Sequence, residues 1–372
     1  MIYLDHNATT PMDERVVEAM LPFLSRFYGN PSALHRLGRL ARDAVEHARS
    51  QVASLVGVQP RQVIFTSGGT EANNLALQGW WLAHPKGELA VSPIEHPSVL
   101  ETAKALEKLG VKLYWLEVDQ SGRVQSDTLE SWSQRVPMGL VSCMLANNET
   151  GVIQPVEKLA ALVAERKIAF HTDAVQAVGR MDVDFSALGV QMMTLSSHKI
   201  HGPKGAGALI LDRSITMSPL LHGGGQEWGM RGGTENVAGI VGFGKAAEIA
   251  KQERQMVVQH CLRLRQLLEE GLREVPGVTI FAKDAKRLVN TVYFSVPGLD
   301  GEMLVMAFDR EKIAVSSGSS CASGKSEPSH VLMSMGVAPE LAQGAIRISL
   351  GKDNLEPDIE RFLAGLRKIM GL

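Results

Sequence analysis

The order of apolar and polar positions divides the chain into two regimes. In the first, short apolar runs bounded by polar turns predict strands: Val63-Ile64-Phe65-Thr66, Leu89-Ala90-Val91, Leu113-Tyr114-Trp115, 140–145, 168–171, 192–195 and Ala208-Leu209-Ile210-Leu211. Helical periodicity over 36–56, 99–109 and 156–166 supplies crossovers between several of them, as a mainly parallel sheet flanked by helices requires. Thr10-Pro11-Met12-Asp13 reads as an N-cap, a proline in the first helical position and an acidic first turn, predicting a helix over 14–24. In the second regime, a helical pattern over 236–274 turns Val257, Leu262, Leu264, Leu267 and Leu268 toward a core and links two domains. Beyond Pro276-Gly277, shorter runs (278–281, 289–295, 313–315, 346–348) mix with helices, the last over 356–370, predicting a smaller α+β unit.

Composition narrows the class of partner. A chain of 372 residues, 45% hydrophobic, has enough apolar material for a large core. Lys and Arg total 38 against 40 Asp and Glu, so charge gives no argument for nucleic acid or a membrane surface, and small molecules or proteins are the expected partners. No basic segment precedes an apolar run at the N-terminus and no stretch nears the ~20 apolar residues of a membrane span, so a soluble, cytoplasmic protein is expected. The three cysteines are odd in number and widely spaced, which suits neither a disulfide framework nor a zinc knuckle. Cys143 and Cys261 lie in apolar periodic segments and read as packing residues. Cys321 follows Ser316-Ser317-Gly318-Ser319-Ser320 in a polar segment, where a thiol stays accessible for reaction.

The chemistry centres on Lys199, in Ser196-Ser197-His198-Lys199, and on Asp173, which closes the apolar run 168–172. An amine at one strand end and a carboxylate at another are the two groups that hold pyridoxal phosphate: the amine forms a Schiff base, and the carboxylate keeps the ring nitrogen protonated. Thr66-Ser67-Gly68-Gly69-Thr70 joins a strand to a helix start. Glycines and free backbone donors there accept an anion, so beside the Lys199 and Asp173 pair this turn reads as a phosphate cup, with Ser196 and His198 arriving just before the lysine. His96 follows an apolar strand and is either a capping residue or an imidazole that stacks on a ring and moves protons. Gln176 is either solvated or within reach of the ring's phenolic oxygen. His198 and His201 lack the helix that would align them as metal ligands, and no metal is expected. Arg347, with apolar neighbours on both sides, calls for a carboxylate, structural or from a substrate; Asn148 lies at another strand end.

Taken in order, Tyr3-Leu4-Asp5-His6-Asn7-Ala8-Thr9-Thr10-Pro11, Gly29-Asn30-Pro31-Ser32, Glu95-His96, His222-Gly223-Gly224-Gly225-Gln226-Glu227, Met230-Arg231-Gly232-Gly233-Thr234 and the segments above make the chain resemble the cysteine desulfurases of the NifS and IscS type, in the class V aminotransferase group of fold type I pyridoxal phosphate enzymes. The resemblance implies a large cofactor-binding α/β domain over 13–255, and a small α+β domain from 1–12 and 256–372 that carries a catalytic loop at about 316–330. It implies Lys199, Cys321 and His96 as catalytic residues. Gly69, Thr70, His96, Asn148, Asp173, Gln176, Ser196, His198, Lys199 and Thr234 would hold pyridoxal 5'-phosphate, Thr234 from the second subunit of a homodimer. Arg347, Asn148 and Asn7 would hold the substrate carboxylate. The implied reaction converts L-cysteine to L-alanine and leaves a persulfide on Cys321, for delivery to an iron-sulfur scaffold or a thiolation carrier. The sequence ends at Leu372, without the extension that IscS-type members use in scaffold docking, so that delivery is expected to be less fixed than the desulfurase step. A selenocysteine lyase or another class V enzyme is the alternative reading, and a non-catalytic protein on the same scaffold is opposed by the intact Lys199, Asp173, His96 and Cys321.

Overall fold

The computed structural model describes residues 1–296, 298–317 and 327–372. Cys321 lies outside the described residues. The strands are β1 (Ile2–Tyr3), β2 (Val63–Thr66), β3 (Glu88–Val91), β4 (Leu113–Trp115), β5 (Met138–Ser142), β6 (Ala169–Asp173), β7 (Met192–Ser196), β8 (Gly207–Leu211), β9 (Thr279–Ile280), β10 (Thr291–Ser295), β11 (Ile313–Ala314) and β12 (Ala345–Ser349). Among the described residues, seven of them form one sheet in the order β2-β8-β7-β6-β5-β3-β4. β3 to β7 run parallel, and β8 alone runs antiparallel to both its neighbours, β2 and β7. β2, β3, β6 and β7 are buried at every residue, as expected of a sheet covered by helices on both faces.

This topology decides where chemistry can sit. Because β2, β3, β5, β6 and β7 all point one way, the chain leaves the sheet along one edge at Thr66, Val91, Ser142, Asp173 and Ser196, and the turns that follow face each other. On one side the helix Arg36–Leu55 packs against the helix Val237–Arg273, so closely that a Cβ added at Gly244 would lie 2.6 Å from the Cα of Ala48.

Val237–Arg273 spans 37 residues, roughly 55 Å of helix. Its first half buries Ile240, Phe243 and Ala247 in the core beneath the large sheet. Its second half buries Cys261, Leu264, Leu268 and Leu272 in a separate apolar cluster with Leu4, Phe294, Phe308, Ile346 and Phe362. That cluster is covered by the antiparallel sheet β9-β10-β12 and the helices Gly301–Arg310 and Glu356–Met370. β1 pairs in parallel with β11, and from there residues 5–10 cross back over the edge of the large sheet.

Two local readings are corrected. The first helix, Glu14–Ser25, is capped by Asp13, whose carboxylate accepts from the Arg15 amide; Thr10 is no cap, because its hydroxyl donates to the His198 carbonyl (2.9 Å) and accepts from the His201 amide (2.8 Å). The fifth strand stops at Ser142 rather than Leu145, although the amides of Cys143 and Leu145 still bond to the His171 and Asp173 carbonyls (3.1 and 2.9 Å).

Candidate active site

Lys199 ends a one-turn 3₁₀ segment, Ser197–Lys199, that follows β7 directly. Its Nζ donates to two backbone carbonyls of the crossing segment, Asn7 (2.5 Å) and Ala8 (2.6 Å). Burial first, then the cations of Arg180 and Arg347, push the amine down to about 7, against the opposing pull of Asp5 and Asp173. At neutral pH a large share of it is therefore unprotonated and nucleophilic toward a carbonyl.

Asp173, buried at the end of β6, accepts from the Val175 amide (2.9 Å) and from Nδ2 of Asn73 (2.8 Å). Asn73 belongs to the helix Gly69–Asn74 and also donates to Ser98 Oγ (2.9 Å), which meets His96 Nδ1 at 2.8 Å. A chain of polar contacts thus ties the carboxylate to the imidazole through the glycine turn's own helix. His96 is the N-cap of the helix Pro97–Lys108, its Nδ1 accepting from the Ser98 amide at 3.1 Å; that fixed donor leaves the proton of the neutral ring on Nε2. Burial holds this imidazole below its ordinary range, with Asp173 opposing and Lys199 assisting. The capping reading of His96 is realised, and its ring nonetheless reaches the site.

The glycine turn lies against β7: a Cβ added at Gly69 would be 3.5 Å from Ser196 Cβ and 3.2 Å from Val175 Cγ2. Ser196 Oγ is buried and has no hydrogen-bond partner among the described residues. His198 Nδ1 meets Thr9 Oγ1 at 3.1 Å, and burial, then the positive charge of Lys199, lowers it to about 4. A buried hydroxyl without a partner, beside glycines and a helix start, fits a phosphate ester; a half-neutral amine and a buried strand-end carboxylate fit the ring. The residues present suit pyridoxal phosphate. Thr70 and Thr234 are exposed, the latter beside Ser67 and Gly205.

Arg347, on β12, finds the carboxylate its position calls for in Asp5: its Nη2 donates to Asp5 Oδ1 at 2.7 Å, its Nη1 donates to the Asn148 carbonyl at 3.1 Å, and its Nε has no partner. Asn7 enters the site through its backbone. Its side-chain amide is already used, donating to the Asn148 carbonyl and Thr291 Oγ1 (both 3.0 Å), while its carbonyl receives Lys199 and Gln176 Nε2 (3.0 Å). Gln176 is buried, not solvated.

The chain on either side of 318–326 is moored at this rim. Ser316 pairs with Arg347 through both backbone bonds (3.3 and 2.7 Å). Beyond, Ser329 Oγ donates to Glu149, whose carboxyl burial raises, and His330 Nε2 meets the Glu95 carbonyl at 3.0 Å. Of the residues singled out from the sequence, the structure brings Lys199, Asp173, His96, Ser196, Gln176, Asn148 and Arg347 to one edge of the sheet and its rim. Sequence reasoning missed Asn73, Ser98, Arg180, Glu149 and the fully buried Glu95, whose carboxyl accepts from the Met144 amide (2.5 Å) and is raised well above its ordinary value by burial. Only the i, i+4 spacing of Gln176 and Arg180 could have flagged any of these.

The class-V aminotransferase family profile matches residues 2–362. The chain belongs to the class-V aminotransferase family. The cofactor of this group of enzymes is pyridoxal 5'-phosphate, which the residues of the site suit. The protein is 43% identical over 372 residues to the cysteine desulfurase IscS of Dictyoglomus turgidum, covering 99% of this chain and 94% of the relative. Among solved structures, a NifS-like protein superposes with a TM-score of 0.92 at 39% identity, covering 100% of this chain and 99% of its own. SspA in complex with cysteine superposes at 0.82 with 33% identity, covering 95% of this chain and 100% of its own.

Proposed function

We propose that this protein is a pyridoxal-phosphate-dependent cysteine desulfurase, converting L-cysteine to L-alanine and passing the sulfur through a persulfide on Cys321. The observation that carries the reading is Lys199, an amine poised near neutrality between two carbonyls, at the sheet edge it shares with Asp173 and His96. Bound pyridoxal phosphate supplies an electron sink that lets the substrate α-proton leave and weakens the Cβ–S bond. Lys199 would anchor the cofactor and, once displaced by the substrate amine, move the α-proton. Asp173 would keep the ring nitrogen protonated, with Asn73 fixing the carboxylate. His96 would stack on the ring and relay a proton through Nε2. Gln176 would face the phenolic oxygen. Gly69, Thr70, Ser196 and His198, with Thr234 of a second copy, would hold the phosphate. Arg347 and Asn148 would take the substrate carboxylate, Asp5 yielding its place on the guanidinium, and Asn7 would position Lys199 by its carbonyl.

The Cys321 thiolate then attacks the substrate sulfur. The new S–S bond forms as the Cβ–S bond breaks, and its electron pair, once protonated, completes the methyl group of alanine. An acceptor thiolate, on an iron-sulfur scaffold or a thiolation carrier, removes the outer sulfur and restores Cys321. The exposed Leu21, Leu24, Tyr28 and Leu34, large apolar side chains close together in sequence, support a homodimer. The buried free thiols of Cys143 and Cys261 support a reducing, cytoplasmic setting, and among the described residues no helix is long and apolar enough to cross a membrane. The two apolar cores that share the long helix support a division into 13–255 and 1–12 with 256–372.

The test is purified protein with L-cysteine and a thiol reductant. Alanine and sulfide should appear in equal amounts; Cys321→Ser should stop sulfide release but keep the visible cofactor band, and Lys199→Ala should lose both. Alanine from selenocysteine alone would reject the proposal.

A further inference from the structure

Arg180 stands out as a cation that the reaction scheme leaves unused. It lines a hollow behind Lys199 with Val178, Ile200, Val257 and Cys261, and no carboxylate among the described residues pairs with it. Burial lowers the guanidinium to about 10, an uncommon position for an arginine. Its hydrogen bonds run instead to neutral oxygens: Nη1 donates to the Gln176 carbonyl (3.2 Å) and to Gln176 Oε1, and Nη2 donates to the His6 carbonyl (3.0 Å). A guanidinium can only donate, so the Gln176 atom facing it must be oxygen. The amide nitrogen is thereby turned the other way, onto the Asn7 carbonyl, which also receives Lys199.

We propose that Arg180 is a positioning residue of this site: its fork fixes the Gln176 amide with the nitrogen edge toward the lysine's anchor, and through His6 it holds the crossing segment whose carbonyls grip Lys199. The inference rests on the reading of Lys199 as the cofactor lysine. A cation here without a carboxylate partner among the described residues has a second effect, since Lys199 is surrounded by Arg180, Arg347, Asp5 and Asp173, with His198 and His96 beside it, and Arg180 acts on it in the direction that frees its amine.

The test begins with the cofactor-free full chain and acetic anhydride as an amine probe, acetylation of residue 199 being read by peptide mass across pH. Wild type should reach half-maximal labelling near pH 7, and Arg180→Met should shift that midpoint upward, with about tenfold less labelling at neutral pH. Arg180→Lys keeps a charge but cannot span both acceptors with a planar fork, so it should retain the midpoint while losing the coupling to Gln176. That coupling is read from pyridoxal phosphate dissociation in Arg180→Met, Gln176→Leu and the double variant: action through Gln176 predicts that the double variant resembles either single one. Should Arg180→Met not fold, Arg180→Lys carries the same cycle. An unmoved labelling midpoint in Arg180→Met, or single-variant effects that multiply in the double variant, would overturn the proposal. A wild-type protein that makes no alanine from cysteine sinks the desulfurase reading, whereas a competent wild type with indifferent Arg180 variants sinks only this inference.

Discussion

The Ser196 hydroxyl costs stability until something binds it, because a buried unsatisfied hydroxyl is disfavoured by about 1–3 kcal/mol. Ser196→Ala should therefore leave the cofactor-free protein as stable as wild type or slightly more so, while weakening pyridoxal phosphate binding roughly tenfold or more; thermal melts and a fluorescence titration measure the two effects. His6 and His171 hold their imidazoles neutral instead, although His6 Nδ1, like Ser196 Oγ, has no hydrogen-bond partner among the described residues. Both are buried, and both are held down to about 3 by that burial; His171 is satisfied as a neutral ring by Ser142 Oγ (2.9 Å) and Thr194 Oγ1 (3.0 Å). Their unfolded counterparts titrate at about 6.5, so below that pH the unfolded chain binds protons that the native one refuses. The contribution of these two histidines to stability should thus be flat above about pH 6.5 and fall progressively as pH drops toward 3. His171→Gln, which cannot ionise, should show a shallower slope in urea titrations between pH 6.5 and 4.

Elements were legible where a single apolar run had a single use. β2, β4 and the last helix fall where periodicity put them, β2 and the helix because their apolar side chains bury without asking what lies opposite. β5 was misjudged at its end, since Cys143 to Leu145 are as apolar as the strand and only the neighbouring chain decides where regular pairing stops. Thr10 was misjudged for a similar reason: a hydroxyl suited to capping was taken by partners nearly 190 residues away. The helix pair Arg36–Leu55 and Val237–Arg273 depends on a near-contact of backbones at Gly244 and Ala48. Gly244→Val should force them apart and cost about 1–3 kcal/mol, read as a lower urea midpoint with an unchanged slope.

At the scale of the whole molecule, the site was readable as a list of residue types, since amine, carboxylate, imidazole and glycine turn each close an apolar run. What the sequence withheld were the residues that hold those groups still. Asn73, Ser98 and Glu95 carry no spacing that distinguishes them from surface polar residues, and their meaning comes only from strands brought side by side. Subunit assembly belongs to this scale too. Replacing Leu21 and Leu24 by glutamate should shift the solution mass measured by light scattering from a dimer to the 40.3 kDa of one chain, with loss of cofactor retention if Thr234 serves the neighbour's phosphate.

Residues 2–8 come before most of the chain and are among the last to find their place. Ile2 and Tyr3 lie beside Ile313 and Ala314, and the amides of His6 and Asn7 bond to Ser349 (3.1 and 2.9 Å), so the two carbonyls that steady Lys199 cannot settle until Ser349 has been synthesised. A nascent chain that stops short of these partners has its glycine turn and its lysine but no finished grip on either, and vitamin capture is thereby deferred until Ser349 has emerged.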